Sequence, residues 1–115
     1  MAENIARAAE AGVANDYIGY NQAARNTLYT EALKVGLDLS KITTPCDCDC
    51  SSFVSICCIC AGLSASIFYP NGNMLTTYTM KNGCEKTGQF LTLTGNKYTS
   101  QKDYLKRGDI LLNSN

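Results

Sequence analysis

The sequence predicts an α+β fold, on three observations. Helix formers, with apolar residues spaced by fours and threes, fill roughly the first third of the chain. A long apolar run occupies residues 51–63, and stretches suited to strands appear only from residue 89 onward. Helices gathered early and strands late is the α+β pattern. The 115 residues fit one domain, with helices and a connection over 1–45 and the core over 46–115.

Residues 3–14 are rich in alanine and glutamate and read as a short helix. A second helix is expected over 21–35: Asn21 is a good N-cap, Ala24, Leu28, Ala32 and Val35 share one face, and Gly36 supplies the stop. Residues 37–45 read as a connection, because Pro45 biases Thr44 away from helix. The run 51–63 has the length of a three-turn helix with Gly62 near its C-cap, although its β-branched content also permits a strand. As a helix it is apolar on nearly every side, so it must be central and buried, with only Ser51, Ser52 and Ser55 tolerating water. A turn follows at 69–73, then a short helix over 75–81 stopped by Asn82 and Gly83. Residues 89–94 alternate like a strand, and Lys106 to Asp109 form a turn into a last strand over 109–112, giving a short antiparallel sheet. The Arg107-Gly108-Asp109 tripeptide is read as part of that turn.

Composition removes several function classes. Ten basic residues against ten acidic ones leave no net charge, so nucleic acid is not an expected partner. No stretch is long and apolar enough to span a bilayer. The N-terminus carries charges of both signs and lacks the apolar core of a secretory signal, which predicts a cytoplasmic protein with reduced thiols. Histidine is absent, so no histidine-based triad or histidine-liganded metal can be built from this chain alone. No cofactor is expected.

The chemistry points to Cys50. A cysteine at the start of a buried helix meets the positive end of the helix dipole and the unpaired amides of the first turn, both of which favour thiolate over thiol. The same amides, that of Cys50 among them, could hold the oxyanion of a tetrahedral intermediate. The small neighbours Ser51 and Ser52 keep the approach open. A cysteine hydrolase mounts its nucleophile in this way.

The segment Asp49-Cys50-Ser51-Ser52-Phe53-Val54 resembles the nucleophile motif of NlpC-type papain-like cell-wall peptidases, usually Asp-Cys-Ser-Gly-Phe-Val. Some 55 residues on, Tyr104 to Leu112 is similar to the same family's Leu-Lys-Pro-Gly-Asp-Leu turn and strand. Cys46-Asp47-Cys48 and the N-terminal helices look most like the phage endolysin branch. The resemblance covers about residues 20–115. It implies a papain-like domain of which this chain is the helical half, its sheet incomplete at the last edge. An unfinished edge invites pairing with another chain. It also implies Cys50 as nucleophile, Asp49 and Ser52 near the peptide-stem pocket, and amide hydrolysis in peptidoglycan through an acyl-enzyme. Release through a holin pore would explain a wall-directed enzyme without a signal peptide. The sequence departs from the pattern at Ser52 (for Gly) and Arg107 (for Pro), and it lacks the histidine due after the last strand. The expectation is therefore a truncated fragment with little or no activity.

Two other classes compete. One is a non-catalytic protein that binds wall fragments or a partner subunit. The other is a cysteine-rich zinc module built from Cys46, Cys48, Cys50, Cys57, Cys58 and Cys60, though a Cys-x-Cys ladder is not the usual paired zinc spacing. Cys57, Cys58 and Cys60 are read as core packing, and oxidation could join Cys46 or Cys48 to Cys50.

Overall fold

The computed structural model describes residues 1–99 and 104–113. Helix and strand are mixed as the sequence predicts: among the described residues there are six α-helices and a two-stranded sheet. Helix α1 (Ala2–Val13) packs across α3 (Cys50–Cys60), where Gly12 faces the Phe53 ring closely enough to leave no room for a side chain. Just past α1, the Asn15 side-chain amide donates to the carbonyls of Leu39 (2.8 Å) and Ile42 (3.0 Å), anchoring the connection that follows.

The expected helix over 21–35 is divided. Asn21 accepts from the Ala23 N–H at 2.9 Å and caps only a single 3₁₀ turn, Gln22–Ala24. Helix α2 (Thr27–Lys34) then starts afresh, with Leu28 and Ala32 facing the core. Tertiary partners cause the break. Arg25 turns towards α3, Asn26 bonds residues 73 and 74, and the Thr27 hydroxyl is held by Asp47 and Ala24. Propensity yields to side-chain hydrogen bonds that a local reading cannot see.

The apolar run is a helix, and it is central. In α3, residues Ile56, Cys57, Cys58 and Ile59 are buried, and the Ser55 hydroxyl is satisfied by the Ser51 carbonyl at 2.8 Å. Beyond its last turn the Gly62 N–H bonds Ile59 and the Leu63 N–H bonds Cys58, with Gly62 at φ +104°, a Schellman stop at the expected glycine.

The sheet differs from expectation. Its strands are β1 (Ile18–Tyr20) and β2 (Cys46–Cys48), and they run parallel, with Ile18 opposite Cys46 and Tyr20 opposite Cys48. Neither residues 89–94 nor 109–112 form a ladder. Alternation supplies strand propensity, but a strand also needs a partner edge, and among the described residues these segments pair with none. Leu91, Leu93, Leu111 and Leu112 are consequently exposed.

The helix expected over 75–81 forms later in the sequence. The Thr76 N–H is taken by the Thr79 hydroxyl (2.9 Å) in a turn, and α5 (Met80–Lys86) begins after it, passing through the Asn82-Gly83 pair read as a stop. Two short helices, α4 (Ala65–Phe68) and α6 (Asn96–Thr99), complete the set, and the 69–73 turn contains a 3₁₀ segment, Pro70–Gly72. The fully buried Phe68, Leu28, Leu39, Ile56 and Met74 mark the core, with α3 at its centre. No helix among the described residues is long and apolar enough to cross a membrane.

Candidate active site at the start of the central helix

Helix α3 begins where β2 ends, so the strand delivers Cys50 to the first helical position. In β2 the side chains alternate: Cys46 and Cys48 turn inwards and are buried, while Asp47 is half-buried. Asp49 is the N-cap. Its Oδ1 accepts from the Ser52 N–H (2.9 Å), and the Ser52 hydroxyl accepts from the Asp49 N–H (2.8 Å), a reciprocal capping box. The Phe53 N–H takes the Asp49 carbonyl. Among the described residues, no hydrogen bond occupies the amides of Cys50 and Ser51, as expected for the first positions of a helix.

Cys50 is exposed, whereas Cys46, Cys48, Cys57, Cys58 and Cys84 are buried and Cys60 is half-buried; all seven thiols are free. Burial pushes Cys48 and Cys60 up to about 11 and Cys58 up to about 12, and it raises Cys46, Cys57 and Cys84 as well. The protein thus separates its cysteines into one presented to solvent at a helix start and six retained as small apolar packing units. Among the described residues, no three Cys, Asp or Glu side chains converge into a metal-binding group, which corrects the zinc-module alternative. The reason is geometric: β2 and α3 send Cys50 outwards while Cys46, Cys48, Cys57 and Cys58 face the interior.

Asp49 and Ser52, expected near a peptide pocket, are buried and direct their polar atoms into the cap itself. Burial works to raise the Asp49 carboxyl, but hydrogen bonds from Arg25 and from the Ser52 N–H outweigh it and hold the group below the ordinary aspartate range. Arg25 is the residue that the sequence reading missed. Its Nε donates to Asp49 Oδ2 at 2.8 Å, one terminal nitrogen reaches Asn73 Oδ1 and the Met74 carbonyl (both 2.7 Å), and the other reaches Ser51 Oγ (3.0 Å) and the Leu75 carbonyl (2.7 Å). These contacts engage all five guanidinium N–H groups. Cys50 lines neither the concavity along residues 66–86 nor the apolar groove formed by 89–94 and 104–112 with α1 and α5.

No curated protein and no solved structure matches this chain. A family model does, over residues 1–115, and its description is that of an endolysin-like domain, which fits a phage-type wall-lytic role with peptidoglycan as substrate. The match runs the whole length of the chain, the cysteine-bearing helix included, so the chain belongs to the endolysin-like domain family.

Proposed function

We propose that this chain carries the nucleophile of a cysteine-dependent amide hydrolase, of the NlpC-type papain-like kind, acting on peptidoglycan stem peptides. The observation that carries the reading is Cys50: the one exposed thiol of seven, at the first position of a buried helix, beside backbone amides that no hydrogen bond occupies among the described residues. In the reaction the Cys50 sulfur attacks the amide carbonyl carbon, and the amides of Cys50 and Ser51 are the donors available to the developing oxyanion. The C–N bond breaks, the amine leaves with a proton, and water then hydrolyses the thioester to release the acid and restore the thiol. Asp49 and Ser52 are assigned the task of holding the helix start rather than touching substrate.

A base must take the thiol proton and return it to the leaving amine. The sequence has no histidine, so an imidazole has to come from outside these 115 residues. On their own they are expected to acylate slowly and turn over hardly at all, since loss of one triad member leaves only ~10³–10⁴-fold catalysis over water in serine proteases. The same lack of histidine favours a second reading, a wall-binding module without turnover.

The test is native alkylation with iodoacetamide followed by peptide mass mapping. Cys50 is expected to be modified well ahead of Cys60, with Cys57 and Cys58 protected until the protein is unfolded. Equal rates at Cys50 and Cys60 would overturn the nucleophile assignment. Binding of the Cys50→Ala variant to purified sacculi, together with no thioester formed by the parent on a stem-peptide ester, would favour the binding module.

A further inference from the structure

We propose that Arg25 is the positioning residue for Cys50. This rests on the nucleophile reading above and adds a residue to it. The geometry is a bracket: Arg25 bonds Asp49, the residue before Cys50, through Oδ2, and Ser51, the residue after it, through Oγ. The backbone of Cys50 is therefore clamped on both sides by one rigid planar group. The guanidinium is itself fixed from behind by Asn73 Oδ1 and by the carbonyls of Met74 and Leu75. Asn26 completes that rear wall by donating to Asn73 Oδ1 at 2.9 Å and accepting from the Met74 N–H at 3.0 Å.

The pair is sheltered, with 12% of the Arg25 side chain and 6% of the Asp49 side chain exposed. A lysine could neutralise Asp49 but could not span five acceptors, because an ammonium has three donors and no fixed fork. First turns fray readily when their caps are loose. The bracket opposes this at the residue whose amide and sulfur must stay together, and it links that residue to the 73–75 segment. Arg25 acts through its neighbours and does not touch the reacting atoms.

The experiment compares the parent with Arg25→Lys, Arg25→Gln and Ser51→Ala. It measures the iodoacetamide rate at Cys50 relative to that at Cys60, with protection of Cys57 and Cys58 as the gauge of folding. The expected result for Arg25→Lys is a protected core and a Cys50 rate about fivefold to tenfold lower, with the Cys60 rate unchanged. Ser51→Ala, which cuts one arm of the bracket, is expected to fall between parent and Arg25→Lys. If Arg25→Gln exposes the core thiols, Arg25→Lys and Ser51→Ala still carry the test. A folded Arg25→Lys protein with the parent's Cys50 rate would show a merely structural arginine and overturn the proposal. A parent whose Cys50 is no faster than Cys60 would instead overturn the nucleophile assignment itself, so the two failures are distinct.

Discussion

Asp49 is a buried carboxylate whose charge is balanced at contact distance by Arg25, and this arrangement makes stability depend on pH in a defined direction. Its carboxyl is depressed in the folded protein, so its stabilising contribution is fully present above the unfolded aspartate value of about 3.9 and is lost as pH falls through the lower folded one. Asp49→Asn keeps a capping side chain but leaves the Arg25 cation facing a neutral partner. The expected cost is about 1–3 kcal/mol near neutral pH. In urea titrations at a series of pH values, the gap between parent and variant should narrow below about pH 4. A gap independent of pH would mean that the ion pair does not stabilise the fold.

At the scale of elements, the sequence shows the cysteine-bearing helix and its limits most clearly, because the signals there are local. The apolar run is long enough for a helix, although its β-branched content also permits a strand, and Gly62 sits where a left-handed stop belongs; the Asp49–Ser52 capping pair, three residues apart, reads in the sequence instead as residues near a peptide pocket. What could not be read was set by distant partners. Arg25 finds its acceptors 24 to 50 residues away, so nothing beside it in the chain marks it as special. The parallel β1–β2 pair is only three residues long on each side and forms across the whole of α2, whereas the more strand-like 89–94 segment joins no edge among the described residues. The helix stop offers a clean prediction. A methyl group on Gly62 would meet no atom within 4 Å, so Gly62→Ala carries no steric penalty beyond holding an L-residue at φ +104°. The expected loss is about 1–2 kcal/mol by chemical denaturation, with Gly62→Asn losing less. A loss near zero would show that the Schellman turn is not what ends α3.

At the scale of the whole molecule, the two ends of the described chain are joined at one place. Arg107, where the resembling family has proline, donates to Glu3 (2.9 Å) and to both carboxylate oxygens of Glu10 (2.5 and 3.1 Å) on α1. Next to it Gly108 has φ +91° and lies so close to the Ala2 carbonyl that any Cβ would collide with backbone. One contact is electrostatic and exposed; the other is steric. Arg107→Ala should therefore leave the thermal midpoint nearly unchanged, since solvent-exposed ion pairs add little, yet raise hydrogen exchange across residues 104–112. Concentrated salt should reproduce that effect in the parent, and so should acid, because hydrogen bonds from Arg107 hold Glu3 and Glu10 below the ordinary glutamate range and are lost as those groups protonate. Gly108→Ala should loosen the same segment at every salt concentration, because a backbone collision is not screened. If salt were to release the segment in the parent while Gly108→Ala exchanged like the parent, the junction would be purely ionic, and the close approach at Ala2 would have no part in holding the ends together.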